Sequence, residues 1–190
     1  MKILDKFFYN KNTLKVAQDL LGCFLVRKIG KKIIRARIIE TEAYNGPDDL
    51  ASHASRGRTP RNEIMFGEPG KIYIYLIYGM HYMLNIVTER KDYPAAVLIR
   101  GIEIDQPRVK PSLGGENNKN ILLNGPAKLT KFLNIDKSFN NLEIYKKKNN
   151  LWIEERREVI KNSKIKKAKR IGIDYAGEYK NKLWRFFLEK

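Results

Sequence analysis

Apolar residues fall at Leu14, Val16, Ala17, Leu20 and Leu21, three and four apart, behind Asn12 or Thr13 and ahead of Gly22. That spacing predicts a short amphipathic helix with a polar N-cap and a glycine stop. The period then drops to two. Phe24 to Ile29 and Lys32 to Tyr44, joined by Gly30-Lys31, read as a pair of strands, with Ile34, Ala36 and Ile38 alternating along the second. Alternation carried to the end of that strand puts Glu40, Glu42 and Tyr44 on the face of Ile38, and Ile39, Thr41 and Ala43 on the other. Two carboxylates and an aromatic ring thus meet where the strand gives way to Asn45-Gly46-Pro47-Asp48-Asp49.

Residues 45 to 70 lose periodicity and gain turn formers, which predicts a long loop with at most short helical turns. A loop of that length inside a compact domain is commonly functional, and this one holds His53, Arg56, Arg58, Arg61, Asn62, Met65 and Phe66. Lys71 to Tyr78 is β-branched and aromatic, Gly79-Met80 a turn, and Tyr82 through Val87 a return strand. Tyr73 and Tyr75 share a face of that hairpin. Tyr73 and Tyr82 are expected in a cross-strand aromatic cluster, whereas Tyr78 sits at the tip with little core to cover. Ala95 to Glu103 is a nearly continuous apolar strand broken by Arg100, whose buried charge calls for a carboxylate, Glu42 or Glu40.

Asp105 to Asn120 turns polar and reads as an exposed loop, and Gly125-Pro126 opens a helix whose N-terminus, with Lys128, suits a phosphate or plain packing. The last third carries Trp152-Ile153-Glu154, a basic run from Lys161 to Arg170, and a terminal strand from Leu183 to Leu188. No repeat or low-complexity linker interrupts the chain, so residues 1–190 are expected to form a single domain.

Composition narrows the function classes. With one cysteine and two histidines no disulfide framework or Cys/His zinc cluster can be assembled, so no metal is expected and a reducing, cytoplasmic setting is. No apolar run suits a signal peptide or a bilayer span, which predicts a soluble protein with no membrane partner. The net charge of +17 favours a polyanion, nucleic acid first, although Lys-, Ile- and Asn-rich background composition supplies part of it.

Glu40-Thr41-Glu42-Ala43-Tyr44, Gly46-Pro47-Asp48-Asp49, His53, Thr59-Pro60-Arg61-Asn62, Met65-Phe66, Pro69-Gly70, Tyr75, Tyr78-Gly79-Met80, Asn85, Leu98-Ile99-Arg100, Gly125-Pro126 and Ala176-Gly177-Glu178 occur in one order. In these residues the sequence resembles the alkyladenine (3-methyladenine) DNA glycosylases, the eukaryotic-type family that also has bacterial members. The resemblance runs from about residue 20 to the C-terminus. It departs at His81, where relatives commonly carry an aromatic, and at Leu50-Ala51-Ser52; both bear on substrate range.

The resemblance implies an α+β fold: a single mixed domain with a curved antiparallel β-sheet, flanking helices and a protruding β-hairpin that enters the minor groove. It implies a monomer with no cofactor, acting near the nucleoid on double-stranded DNA that carries an alkylated purine. The substrates would be 3-methyladenine, extending to hypoxanthine or ethenoadenine, and the abasic product would pass to downstream repair enzymes. Glu42 would be the general base, supported by Arg100. Tyr44, His53, Tyr75, Asn85 and Leu98 would form the base pocket, with Asn85 excluding normal guanine. Tyr78 would be the wedge that fills the gap left by the flipped nucleotide, and Thr59, Arg61, Met65 and Lys128 would meet the DNA backbone.

The residues agree with this physically. Flipping costs a few kcal/mol that an intruding aromatic can offset. A purine is held by flat rings, and a carboxylate can both stabilise an oxocarbenium-like sugar and activate water. Taken alone they leave two other readings open: a nucleic-acid-binding module without catalysis, and a lyase working through a lysine Schiff base.

Overall fold

The N-terminal apolar stripe folds into two short helices, α1 (Lys6–Tyr9) and α2 (Thr13–Asp19). Asp5 caps the first by accepting from the Phe8 N–H, and Asn12 caps the second by accepting from Leu14 and Lys15. The structure, a computed structural model, describes residues 1–104 and 120–189; of the loop expected at Asp105 to Asn120, all but Asn120 lies outside them.

Among the described residues nine strands pair into one open antiparallel sheet: β1 (Phe24–Ile29), β2 (Lys32–Asn45), β3 (Ile72–Ile77), β4 (His81–Val87), β5 (Ala95–Ile104), β6 (Ile121–Asn124), β7 (Leu151–Glu154), β8 (Ile165–Ala168) and β9 (Arg185–Leu188). With a third helix, α3 (Pro126–Phe132), they make the expected single domain of mixed α and β content. The long loop has only two 3-10 turns, His53–Arg56 and Glu63–Phe66. Strands β6 and β8, four residues each and so too short to establish a period, escaped the pattern reading.

Strands β2 and β5 form the spine. The first half of β2 pairs with β1 and its second half, Glu40 to Glu42, with β9; β5 pairs with β4 over Asn85↔Leu98 to Val87↔Ala96 and with β6 from Gly101 onward. Both spine strands change partner at one level, and there both also change phase. Register holds at Ile38↔Ile102 and again at Thr41↔Ile99, with Ile39-Glu40 facing Arg100-Gly101 irregularly between them.

The effect corrects the simple alternation. Ile34, Ala36, Ile38 and Ala43 share one core with Val97, Ile99, Ile102 and Ile104. Thr41 is on that side too, donating its hydroxyl to the Ala17 carbonyl of α2 at 2.8 Å. Glu40, Glu42 and Tyr44 therefore face away from Ile38. Had strict alternation continued, Glu42 would lie in the apolar layer beneath α2, where an unpaired carboxylate costs several kcal/mol.

Hairpin β3–β4 departs from expectation in one detail. Tyr73 pairs with Asn85 across the strands and Tyr82 with Leu76, so the two tyrosines form no cross-strand cluster. Tyr73 is buried against Tyr75 and His53, and Tyr82 packs on the main core. At the tip Met80 donates to the Ile77 carbonyl at 3.1 Å, while Tyr78 and Gly79 take φ of +50° and +69°. Tyr78 is 86% exposed and Met80 68%, so the hairpin ends in uncovered apolar groups.

Candidate active site

The phase change turns the end of β2 toward a cavity of about 480 Å³, within the range of small-ligand pockets. Glu42, Tyr44, His53, Arg61, Met65, Tyr75, Tyr78, Asn85, Leu98 and Arg100 all line it. Among the expected site residues only Thr59 and Lys128 do not. Lys128 is exposed on the first turn of α3, and Thr59 is exposed in the loop, where its N–H donates to Asn62 Oδ1 at 2.7 Å. Met65 is 2% exposed and its side chain packs with Ala54, Tyr73, Val87 and Ala96.

Glu42 is completely buried yet fully partnered. Its Oε1 accepts from the Ile171 N–H at 2.9 Å and lies 3.5 Å from Arg100 Nη1; its Oε2 accepts from the Tyr44 hydroxyl at 3.0 Å. Burial pushes its pKa above the usual carboxylate value, while Arg100, the Ile171 N–H, Tyr44 and Arg170 pull it back. Arg100 is itself aimed: its Nε donates to Glu40 Oε1 at 3.2 Å, and that oxygen also takes Arg185 Nη1 at 2.9 Å. Arg100 thus bridges both carboxylates named from the sequence.

The aromatic wall is built from the hairpin and the loop. His53 and Tyr75 rings meet edge to face at 4.5 Å, and His53 Nδ1 lies 2.9 Å from the Tyr73 hydroxyl. Asn62 holds the loop in place by donating to the carbonyls of His53 and Gly57. Burial, then Arg61, lowers the His53 pKa to about 4, so the imidazole is neutral near pH 7. Burial raises the phenol of Tyr44 and of Tyr75, which keeps both as neutral donors. The Arg61 guanidinium stands 5.8 Å from the Tyr75 ring centre. At the back, Asn85 spends its Nδ2 on the carbonyls of Tyr73 and Met83, which fixes the amide plane.

Sequence reasoning missed the cavity's C-terminal wall. Ile171, Gly172, Ile173 and Tyr175 line it, and Ile171 supplies a main-chain hydrogen bond that no side-chain pattern announces. Asp49 and Arg170, a buried ion pair behind Tyr44, were visible only as one acid in a turn and one cation in a basic run.

A buried carboxylate beside a guanidinium, at the floor of a cavity walled by rings, can hold a flat cationic group and take a proton from water. Comparison with known proteins gives the family. Residues 7–190 match the family described as Methylpurine-DNA glycosylase (MPG). Three similar proteins each bear the name "Putative 3-methyladenine DNA glycosylase". That of Desulfitobacterium hafniense is 46% identical over 100% of this chain and 96% of its own length. Those of Methanocella arvoryzae and Borrelia garinii subsp. bavariensis are 44% and 47% identical, over 98% of this chain and 92% and 96% of theirs.

Proposed function

The chain belongs to the methylpurine-DNA glycosylase family, and from that premise we propose that it excises 3-methyladenine from duplex DNA by hydrolysing the N-glycosidic bond, with Glu42 as general base. The observation that carries this reading is the buried, partnered carboxylate of Glu42 at the floor of the aromatic cavity.

A base stacked in a duplex cannot reach such a cavity, so the nucleotide swings out, and exposed Tyr78 at the hairpin tip fills the gap. Tyr44, His53 and Tyr75 then offer rings to the extruded purine, whose positive charge strengthens the stacking. Asn85 and Leu98 bound the pocket and select against the 2-amino group of guanine. Arg61, Lys128 and the main chain around Thr59 and Met65 engage the phosphates.

A 3-methylated adenine is cationic while attached to the sugar and leaves as a neutral base, so its departure needs no acid. Neutral His53 is suited to stacking and hydrogen bonding and is not a proton donor at pH 7. As the bond lengthens, the Glu42 carboxylate stabilises the positive charge on the sugar; water then adds at C1′ and gives its proton to Glu42. The products are free base, an abasic site and a proton released to solvent. Hypoxanthine and ethenoadenine, being neutral, are slower substrates in this scheme. The protein acts as a monomer, and its abasic product goes to a strand-incising repair enzyme.

The test is release of 3-methyladenine from methylated duplex DNA by wild type and by Glu42→Gln, with binding to an abasic duplex measured beside it. Release by wild type alone, with binding kept in both, is the expected result. Full release by Glu42→Gln would overturn the assignment, and trapping of a borohydride-reduced adduct would replace it with lyase chemistry.

A further inference from the structure

Behind Tyr44, Arg170 and Asp49 form an ion pair with both side chains at 0% exposure. Two bonds run in parallel, Nη1 to Oδ2 at 2.6 Å and Nη2 to Oδ1 at 2.8 Å. Nη1 also donates to the Ala43 carbonyl on β2, and Asp49 accepts the N–H groups of Asn45 and Ala51. The guanidinium lies between two rings, 4.8 Å from Tyr44 and 4.9 Å from Trp184. A pair this deeply buried gains little net stability over an apolar replacement, so what it fixes in place matters more than what it adds to folding.

What it fixes are the two hydrogen bonds that Glu42 receives. The next residue, Ile171, donates its N–H to Glu42 Oε1, and its own side chain is 52% exposed and anchors little. The ring against which Arg170 stacks belongs to Tyr44, which donates to Glu42 Oε2. Both donors are therefore held by one guanidinium, by chain adjacency in one case and by stacking in the other.

Resting on the reading of Glu42 as general base, we propose that Arg170, braced by Asp49, is a positioning residue for base release that keeps the Ile171 N–H and the Tyr44 hydroxyl on the two oxygens of Glu42. The ionisable groups around Glu42 are Arg100 from β5, Arg170 from the C-terminal segment, Tyr44 on its own strand and Tyr75 from β3. Glu40, one strand repeat away, is engaged by Arg100 and Arg185. Burial works against ionisation of Glu42, so loosening either donor shifts the carboxylate toward its protonated, inactive form.

The experiment is single-turnover release of 3-methyladenine from methylated duplex DNA as a function of pH, for wild type, R170Q and the double variant D49N/R170Q. The double variant removes one charge of each sign and leaves neutral groups able to hydrogen-bond, so it folds where a lone buried Asp49 disfavours folding and leaves the net charge near Glu42 unchanged. Thermal unfolding and abasic-duplex binding confirm an intact protein. The acid limb of the rate profile is expected to rise by about one pH unit in both variants, with a plateau lowered by about tenfold. An acid limb superimposable on wild type in the folded double variant overturns the proposal, whatever the amplitude, and reduces the pair to a fold brace. Absence of base release by wild type would instead overturn the glycosylase reading.

Discussion

Replacing Tyr78 with Asn should make the protein slightly more stable and much less active. Tyr78 holds φ of +50° at the hairpin tip. That region costs an L-residue roughly 1–2 kcal/mol, less for Asn, whose short polar side chain bonds locally there. Against this stands the contact that Tyr78 makes, which is small because the residue is 86% exposed. An aromatic side chain buries 150–250 Å² when fully covered, so the remaining seventh is about 30 Å², or about 0.7 kcal/mol at 25 cal/mol/Å². The difference leaves Y78N more stable by about 0.5 kcal/mol, a melting shift of about 1–2 °C for a domain of this length. Base release moves the other way: without the ring to offset a flipping cost of a few kcal/mol, the single-turnover rate falls by about ten- to a hundredfold. Y78F, which keeps ring and strain, should match wild type in both respects. Urea unfolding and single-turnover release on the same preparations give the two readouts. Loss of more than about 0.5 kcal/mol in Y78N would refute the strain argument; release within twofold of wild type would refute the wedge.

Two further outcomes follow from buried groups of the cavity. The His53 ring should titrate by NMR with a midpoint near 4, because burial and then Arg61 disfavour its charged form. The stability tied to its neutral form is complete above about pH 6.5 and is lost as pH falls through about 4, so a midpoint above 6 would refute a neutral pocket imidazole. Glu42 carries the opposite sign. Its folded pKa is raised, so its contribution favours folding below the unfolded carboxylate value and is lost as pH rises through the folded one. E42Q should therefore gain stability over wild type at pH 7 and lose that advantage near pH 4, and equal differences at both pH values in urea unfolding would count against a desolvated carboxylate.

The sheet's long strands, the capped α2 helix and the Tyr78 hairpin were readable because each follows a local rule: period, cap or turn. So was the association of Glu42, Glu40 and Arg100, since a cation inside an apolar strand must find an anion. What local rules could not reveal is set by pairing across the sheet. The irregularity at Ile39-Glu40 exists only with Arg100-Gly101 opposite it, and these are sixty residues apart. The same holds for β6 and β8, four residues each, which are strands only because β5 and β9 lie beside them. Arg170 had the composition of a solvated cation, and its burial comes from Tyr44, Trp184 and Asp49, three distant parts of the chain.

The matched irregularity in β2 and β5 makes parity a heritable constraint on this site. Remove one residue from Ile39-Glu40 and plain alternation still leaves Ile38, Thr41 and Ala43 beneath α2 and Glu42 in the cavity, with the unmatched residue of β5 left as an ordinary bulge. Remove both and Ile38 abuts Thr41, so everything beyond swaps sides: Thr41 would enter the cavity and Glu42 the layer beneath α2, although Glu42 itself had not been touched. Length changes at this point can therefore be accepted only in odd steps, while the Gly30 turn at the other end of β2 lies outside that arithmetic.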